Sequence, residues 1–431
     1  MARTDSNRPG IVIVGAGPAG IAAAVRASAC GKKVTLVDDN PSEGGQIWRG
    51  GPSKPASPQA SKWFNKLEVS GAKFLSGCRI VDADAKARTL LAELPGTAVK
   101  IEYTDLILAT GARELFLPFP GWTLPNVMGA GGLQGLVKAG LPVKEKRIVV
   151  AGSGPLLLAV ASQLRKYGAT VPIIVEQADW ANLAGFLSKL ALHPGKLLQA
   201  FLLRASLGAA TYHHGAWVKS AEGDGKLSRI QIQSGSRTFS VDCDYLAIAY
   251  GFVPNTELAQ LLGCGMKNGL AAVDEYQRST ISGVLCAGEL TGLGGVDRSL
   301  VEGEIAGCAA AGRDDLALKC FPMRERAHRF ADGLNQAFAL RKQLQLLPEE
   351  RTIVCRCEDV PHGKLNGAES WRSAKLHFRC GMGPCQGRIC GPAVEFLYGW
   401  NRQSVRPPIF PVRVTSLISE SKYIIEEGIN K

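Results

Sequence analysis

A short apolar run, Ile11-Val12-Ile13-Val14, leads straight into Gly15-Ala16-Gly17-Pro18-Ala19-Gly20. An Ala-rich stretch follows, and then Lys33-Val34-Thr35-Leu36-Val37 ends at Asp38-Asp39. This order of strand, glycine turn, helix, strand and acid predicts a βαβ unit on a parallel sheet. Gly15 permits the tight turn, Gly17 lets the backbone approach a pyrophosphate, and Gly20 lets the helix pack on the strand. The helix start, with Pro18 and Ala19 in its first turn, offers N–H groups and a positive dipole end to phosphates. Asp38, 23 residues after Gly15, is placed to accept hydrogen bonds from an adenosine ribose. Asp39 is the alternative, because the strand end is defined only to within a residue.

The same pattern recurs. Arg147-Ile-Val-Val-Ala151 leads into Gly152-Ser-Gly154-Pro-Leu-Leu157, then a helix, then Val171-Pro-Ile-Ile-Val175 and Glu176. Two nucleotide-binding halves therefore form an internal repeat, but the second is degenerate. Leu157 stands where the third glycine would let helix and strand close up. Glu176 favours an unphosphorylated ribose, and three readings stay open there: NAD(H), a mononucleotide such as ATP, or a vestigial fold.

Two more segments complete the first half: Leu106-Ile-Leu-Ala109-Thr110-Gly111-Ala112, and Val284-Leu-Cys-Ala287-Gly288-Glu289. In this order the motifs resemble the flavoproteins with two dinucleotide-binding domains, the group of glutathione reductase and thioredoxin reductase, over roughly residues 10 to 310. The resemblance implies FAD in the first half, held by the glycine turn, Asp38 or Asp39, Gly45, Gln46, Ala109, Thr110, Gly111, Gly288 and Glu289. Glu289 stands where that group usually has Asp. The stretch Gly44-Gly45-Gln46-Ile47-Trp48-Arg49 carries no thiol, so dithiol exchange is not expected.

The formal charge is +12, which raises the question of nucleic acid. From Phe321 to Lys431 there are 17 basic and 11 acidic residues, and between Trp371 and Ser419 seven basic residues meet one acid, Glu395. The excess is local and lacks interleaved aromatics on a groove-like element, so nucleic-acid binding is not expected. No apolar run reaches the length of a membrane span, and the start carries no secretory pattern. A reducing cytoplasm is the expected setting for the twelve cysteines. Seven of them (Cys30, Cys78, Cys243, Cys264, Cys286, Cys308 and Cys320) stand in apolar or small-residue settings and read as buried small hydrophobes. The six histidines fall in no nucleophile or metal motif, and no catalytic residue is assigned.

The other five cysteines fall in one module. Cys355-Arg-Cys357-Glu-Asp precedes Cys380-Gly-Met-Gly-Pro-Cys385-Gln-Gly-Arg-Ile-Cys390-Gly. Four thiolates converging on one site suit a [2Fe–2S] cluster or zinc. Arg356, Arg379 and Arg388 could offset the negative charge of such a cluster. The segment resembles the BFD-like (bacterioferritin-associated ferredoxin-like) domain, whose last ligand is followed by Gly and a helix start. That resemblance selects Cys355, Cys357, Cys385 and Cys390 as ligands and leaves Cys380 as a neighbour or substitute.

The run Ala109 to Trp122, the segment Gly129-Ala-Gly-Gly-Leu-Gln134, Tyr250-Gly-Phe-Val-Pro254 and Gly381-Met-Gly-Pro-Cys-Gln-Gly-Arg388 extend the resemblance to nearly the full length. They resemble the A (α) subunits of opine oxidases, hydroxyproline and proline dehydrogenase α subunits, the B subunit of hydrogen cyanide synthase, and part of the sarcosine oxidase α subunit. That family implies an electron-handling subunit of a heteromeric amine dehydrogenase or oxidase acting on opines, hydroxyproline or proline; the alternatives are a hydrogen cyanide synthase subunit acting on glycine, an NAD(P)H:ferredoxin-type reductase and a non-catalytic assembly scaffold. It also implies a β subunit of amino-acid-oxidase type that oxidises the substrate, an FMN often held between α and β, and in some complexes a small ferredoxin-like γ subunit.

The expected fold class is α/β: two Rossmann-like dinucleotide-binding domains of glutathione-reductase type plus a small, mainly helical, BFD-like domain. The expected boundaries are 1–115 with 265–320 for the FAD domain and 116–264 for the second nucleotide-binding domain. A helical linker is expected at 321–350 and the cysteine module at 351–431. Between Trp180 and Leu207 two short amphipathic helices are expected, broken at His193-Pro194 and lining either a core or a subunit interface.

Overall fold

The structure, a computed structural model, describes residues 10–190, 194–208, 210–401, 405–418 and 422–423. It divides the chain into two units, one of residues 1–113, 254–331 and 404–431, the other of 114–253 and 332–403.

The first unit begins with β1 (Ile11–Val14), α1 (Pro18–Ala29) and β2 (Val34–Val37), followed by α2 (Pro58–Val69) and β3 (Lys73–Leu75). A meander of β4 (Arg79–Asp84), β5 (Thr89–Leu94) and β6 (Thr97–Glu102) leads into β7 (Asp105–Leu108). Strand β8 (Ala112–Glu114) carries the chain into the second unit.

There β9 (Val127–Gly129), α3 (Ala130–Lys138), β10 (Ile148–Gly152), α4 (Leu156–Lys166) and β11 (Ile173–Glu176) repeat the βαβ theme. The helices α5 (Trp180–Leu190) and α6 (Pro194–Ser206) come next, then β12 (Thr211–His214). A three-stranded antiparallel insert of β13 (Ala216–Glu222), β14 (Arg229–Ser234) and β15 (Arg237–Asp242) precedes β16 (Tyr245–Ala249). Helices α5 and α6 form where expected, but Phe186 and Leu190 are buried while Trp180, Leu198, Phe201 and Leu202 are exposed. The pair thus covers a core on one side only. His193 lies outside the described residues.

Strand β17 (Phe252–Pro254) returns the chain to the first unit, which continues with α7 (Glu257–Leu261), the β18–β19 hairpin (Met266–Lys267, Leu270–Ala271), β20 (Val284–Cys286), α8 (Gly295–Ala310), α9 (Asp314–Leu318) and α10 (Phe321–Ala337). The cysteine module holds β21 (Ile353–Cys355), β22 (Val360–Pro361), α11 (His362–Leu365), α12 (Trp371–Phe378) and α13 (Cys390–Tyr398). The chain ends with α14 (Val414–Ile418) and β23 (Lys422–Tyr423).

Each unit has a five-stranded parallel sheet, ordered β20-β7-β1-β2-β3 in the first and β12-β11-β10-β16-β9 in the second. Strands covered on both faces need continuous apolar runs. Ile11, Val12 and Ile13, and Ile148 through Ala151, are all buried. Helix α8 lies directly on α1: a Cβ on Gly303 would come 2.1 Å from Ala19 O, and one on Gly307 would come 2.4 Å from Ala23 O. Two glycines four residues apart form one groove on α8, and that groove brings the loop before α8 over the first glycine turn.

The division of the chain differs from the expected boundaries in three places. Residues 254–264 belong to the first unit, because Leu258, Leu262 and Cys264 are buried in its core with Ile80 and Val99. The linker is split: α10 stops at Ala337, and from residue 332 the chain belongs to the second unit. The C-terminal residues leave the cysteine module for the first unit. Arg413 and Ser416 hydrogen-bond Glu93, Ile409 N donates to Val81 O, and β23 pairs with β6. A strand edge and the half-buried Glu93 carboxylate captured this tail, and neither contact has a signature in a sequence.

Candidate functional sites

The first glycine turn is built as the sequence implies. A Cβ on Gly20 would sit 1.8 Å from Gly15 O, so only glycine lets α1 lie this close to β1. The N-terminus of α1 has no side-chain cap and no acid in its first turn, and Gly17 faces open space, with no atom within 4 Å of its Cβ position. An uncapped helix start beside open space suits an anionic pyrophosphate.

Asp38 is nearly buried. Its Oδ2 accepts from Ala16 N at 2.6 Å, and its Oδ1 accepts from Asn40 N and Nδ2 at 2.8 and 2.7 Å. Asp39 instead pairs with Arg79 at 3.0 Å, both half-exposed. Of the two alternatives, Asp38 faces the turn. Gly44 N donates to Ala16 O, and a Cβ on Gly45 would come 3.0 Å from Gly17 Cα, so the loop carrying Gln46 lies against the turn. Arg49 hydrogen-bonds Gln46. Ala109 O lies 2.1 Å from where a Gly15 Cβ would stand. Thr110 Oγ1 donates to Asn255 O, and Asn255 Nδ2 returns a bond to Thr110 O.

At the other edge, a Cβ on Gly288 would meet the Ala19 Cβ at 2.8 Å. Glu289 is mostly buried and accepts from Gly295 N at 2.8 Å. Burial pushes its carboxyl up, against the Gly294 and Gly295 N–H groups. Behind this loop lies a cluster that sequence reasoning missed. Glu302, fully buried, accepts from Gly288 N, Thr291 Oγ1 and Arg298 Nε and contacts His328 Nε2 at 2.7 Å. Burial pushes this carboxyl up, but the bonds from His328 and Thr291 and the charge of Arg298 outweigh it and hold the group below its usual range. The i,i+4 spacing of Arg298 and Glu302 was the available signal. Together these residues fit a dinucleotide lying along the C-terminal edge of the first sheet.

In the cysteine module the sulfurs of Cys355, Cys380 and Cys390 all lie within 4.8 Å of one another, and all three residues are buried. The Cys380 and Cys390 thiols hydrogen-bond the Cys355 sulfur, and Gly381 and Glu358 N–H groups add to them, so the Cys355 thiol is strongly acidified. Cys357, exposed, contacts the Cys385 sulfur. The structure thus gathers Cys355 and Cys390 with Cys380, the cysteine left aside by the resemblance, and puts Cys357 and Cys385 together beside them. Three buried thiols with N–H donors aimed at one sulfur form a donor set that suits a soft metal centre. Cys390 opens α13 with Pro392 in the first turn. A Cβ on Gly383 would come 2.3 Å from the Cys357 Cβ, which folds the loop tightly over the pair.

The three arginines are engaged locally. Arg379 Nε pairs with Glu358 at 2.6 Å, Arg356 lies over the Trp122 ring, and Arg388 reaches Gln386. Of the seven scattered cysteines, all but the half-buried Cys30 are buried. Burial pushes the thiols of Cys78, Cys243 and Cys308 up to about 12, which makes them inert.

Residues 9–313 match the model of the pyridine nucleotide-disulphide oxidoreductase family. The chain belongs to that family, in the group of the opine oxidase α chains and hydrogen cyanide synthase B subunits. It is 30% identical to hydrogen cyanide synthase subunit HcnB of Pseudomonas aeruginosa, over 88% of this chain and 90% of that one. It is 29% identical to the α (A) subunit of an opine oxidase from Rhizobium meliloti, over 94% and 86%. Among solved structures, the L-proline dehydrogenase from P. horikoshii covers 94% of this chain and 78% of its own, with a TM-score of 0.66 and 21% identity, a likeness of fold. Members of this family are FAD-binding oxidoreductases. No helix among the described residues is long and apolar enough to cross a membrane.

Proposed function

We propose that this chain is the electron-transferring subunit of a heteromeric flavin-dependent amine dehydrogenase or oxidase. The observation that carries the reading is the pairing, in one chain, of an FAD-type glycine turn with a gathered five-cysteine module. A bound flavin supplies two-electron chemistry that can be released one electron at a time, and an iron–sulfur centre passes single electrons.

In the first unit the α1 N-terminus would bind the pyrophosphate, Asp38 would orient the ribose, and Glu289 with Gly288 would border the flavin end. Glu302 and His328 hold the Gly288 loop in place. In the second unit Cys355, Cys357, Cys385 and Cys390 would hold a [2Fe–2S] cluster, with Cys380 beside Cys355.

Oxidation of the C–N bond of a secondary-amine amino acid (an opine, hydroxyproline or proline) falls to a β subunit of amino-acid-oxidase type. An FMN between the two subunits and a small ferredoxin-like γ subunit complete the assembly, in a reducing cytoplasm. The likeness to a hydrogen cyanide synthase subunit supports glycine as the second candidate substrate.

Anaerobically purified protein tests the cofactors. Flavin absorption with two irons and two labile sulfides per chain supports the reading, and zinc without flavin overturns it. Adding opines, proline, hydroxyproline or glycine to this chain alone should leave the flavin oxidised. Bleaching by the isolated chain would put the substrate site here.

A further inference from the structure

The two glycine turns of the repeat differ in what stands over them. At the first, a Cβ on Gly17 would meet nothing within 4 Å. Over the second, Gly154 has a φ of +99° and the ring of Phe338 beside it, 3.9 Å from its Cβ position. Phe338 begins a short stretch between the end of α10 and a 3-10 turn at Lys342–Leu346.

That stretch is bonded to the crest of the second sheet residue by residue. Ser153 Oγ, inside the glycine turn, donates to Phe338 O at 2.9 Å. Gln177, fully buried just past the end of β11, donates from Nε2 to Ala339 O at 3.0 Å and accepts at Oε1 from Arg341 N at 3.1 Å. The same Nε2 reaches Ser153 Oγ at 2.9 Å, tying the two strand ends together. Arg341 pairs with Asp179 at 3.0 Å and lies over the Trp217 ring, while the Phe338 ring packs edge-on against Phe186 at 5.5 Å.

In a nucleotide-binding βαβ unit this crest, from the glycine turn to the acid at the end of the second strand, is where adenosine and pyrophosphate lie. We infer that Phe338–Arg341 is an intramolecular ligand of the second nucleotide-binding fold, occupying that crest so that the fold seats the cysteine module and takes no free nucleotide.

Other groups at the crest agree. The strand-end acid, Glu176, is fully buried, with Oε2 accepting from Gly154 N and Oε1 from Ala178 N, both at 2.8 Å. Tyr212 hydrogen-bonds it as well. Its carboxylate is covered completely, with 0% exposure, where Asp38 at the first turn keeps 9%. Leu157, at the third glycine position, is fully buried in the core between α4 and the sheet.

Downstream the strap continues into the module. Leu344 is buried with Trp217 and Val218, and Gln345 Nε2 donates to Phe396 O on α13. Trp122 Nε1 donates to Ile353 O at the start of β21. The repeat thus keeps its shape while its crest holds a peptide segment.

The test uses the full chain as purified, titrated with NADH, NADPH and Mg-ATP in equilibrium dialysis, with hydrogen exchange followed at 152–157 and 338–341. No saturable binding at millimolar nucleotide and unchanged exchange in both segments are expected. Saturable binding of any of the three overturns the inference, whether the strap is displaced or stays protected. In Gln177→Ala, exchange at Arg341 N should rise roughly tenfold or more with the loss of its acceptor, at unchanged flavin content. Unaltered exchange in that variant would show that the crest does not hold the strap, and would overturn it equally.

Discussion

Asp38 and Asp39, neighbours at the end of one strand, face opposite ways. Asp38 turns its carboxylate onto Ala16 N at 2.6 Å, while Asp39 reaches out to Arg79. Successive side chains on an extended strand alternate in direction, so only one of the two can serve the glycine turn. Asp38→Ala should therefore lower flavin affinity by roughly tenfold or more, the scale of one charge-assisted hydrogen bond. Asp39→Ala should keep its full flavin content. Flavin released per chain after dialysis checks both, and equal losses would contradict the assignment.

Glu302 is the counter-charge for Arg298 and the acceptor for Gly288 N and Thr291. Removing one member of a buried charged network strands the others and costs about 3–5 kcal/mol. Glu302→Ala should lose stability on that scale in urea titration, along with bound flavin. His328→Gln should lose much less, since its ring is a third exposed. A stability change within experimental error for Glu302→Ala would show that the cluster does not hold the Gly288 loop.

The thiol module makes a sharper demand, because five sulfurs compete for four ligand positions. Cys355→Ser and Cys390→Ser should abolish bound iron, as should Cys357→Ser and Cys385→Ser. Cys380→Ser should retain iron and change the visible spectrum, since the Cys380 thiol hydrogen-bonds the Cys355 sulfur. Iron lost from Cys380→Ser but kept in Cys357→Ser would move Cys380 into the ligand set.

Glu176 sets a pH dependence. Burial raises its carboxyl from 4.5 to about 7, against N–H bonds from Ala178 and Gly154. Between those values the folded chain holds a proton that the unfolded chain has released. Stability contributed by this site is therefore complete below pH 4.5 and declines as pH rises toward 7. The decline should be on the order of 2–3 kcal/mol. Glu176→Gln should flatten that part of the profile in urea titrations from about pH 5 to 7.5. An unchanged slope would show that the carboxyl titrates normally.

The sequence by itself determined what local chemistry dictates. The spacing from Gly15 to Asp38 and its repetition at Gly152 to Glu176 specify two βαβ units, because helix-on-strand contact at Gly20 admits no side chain. Leu157 already marked the second turn as altered, and the cysteine spacing marked one thiol module. Tertiary structure alone decided matters that depend on partners far along the chain. Nothing in the order of residues told Asp38 from Asp39 until Arg79, 40 residues on, drew one of them away. Nor did it show Cys380 joining Cys355 and Cys390, the C-terminal segment adding to the β4–β6 meander, or Phe338–Arg341 lying across Ser153 and Gln177. These contacts join backbone groups and common polar side chains over as many as 323 residues. Such pairings leave no periodicity or motif behind, so only the folded chain reveals them.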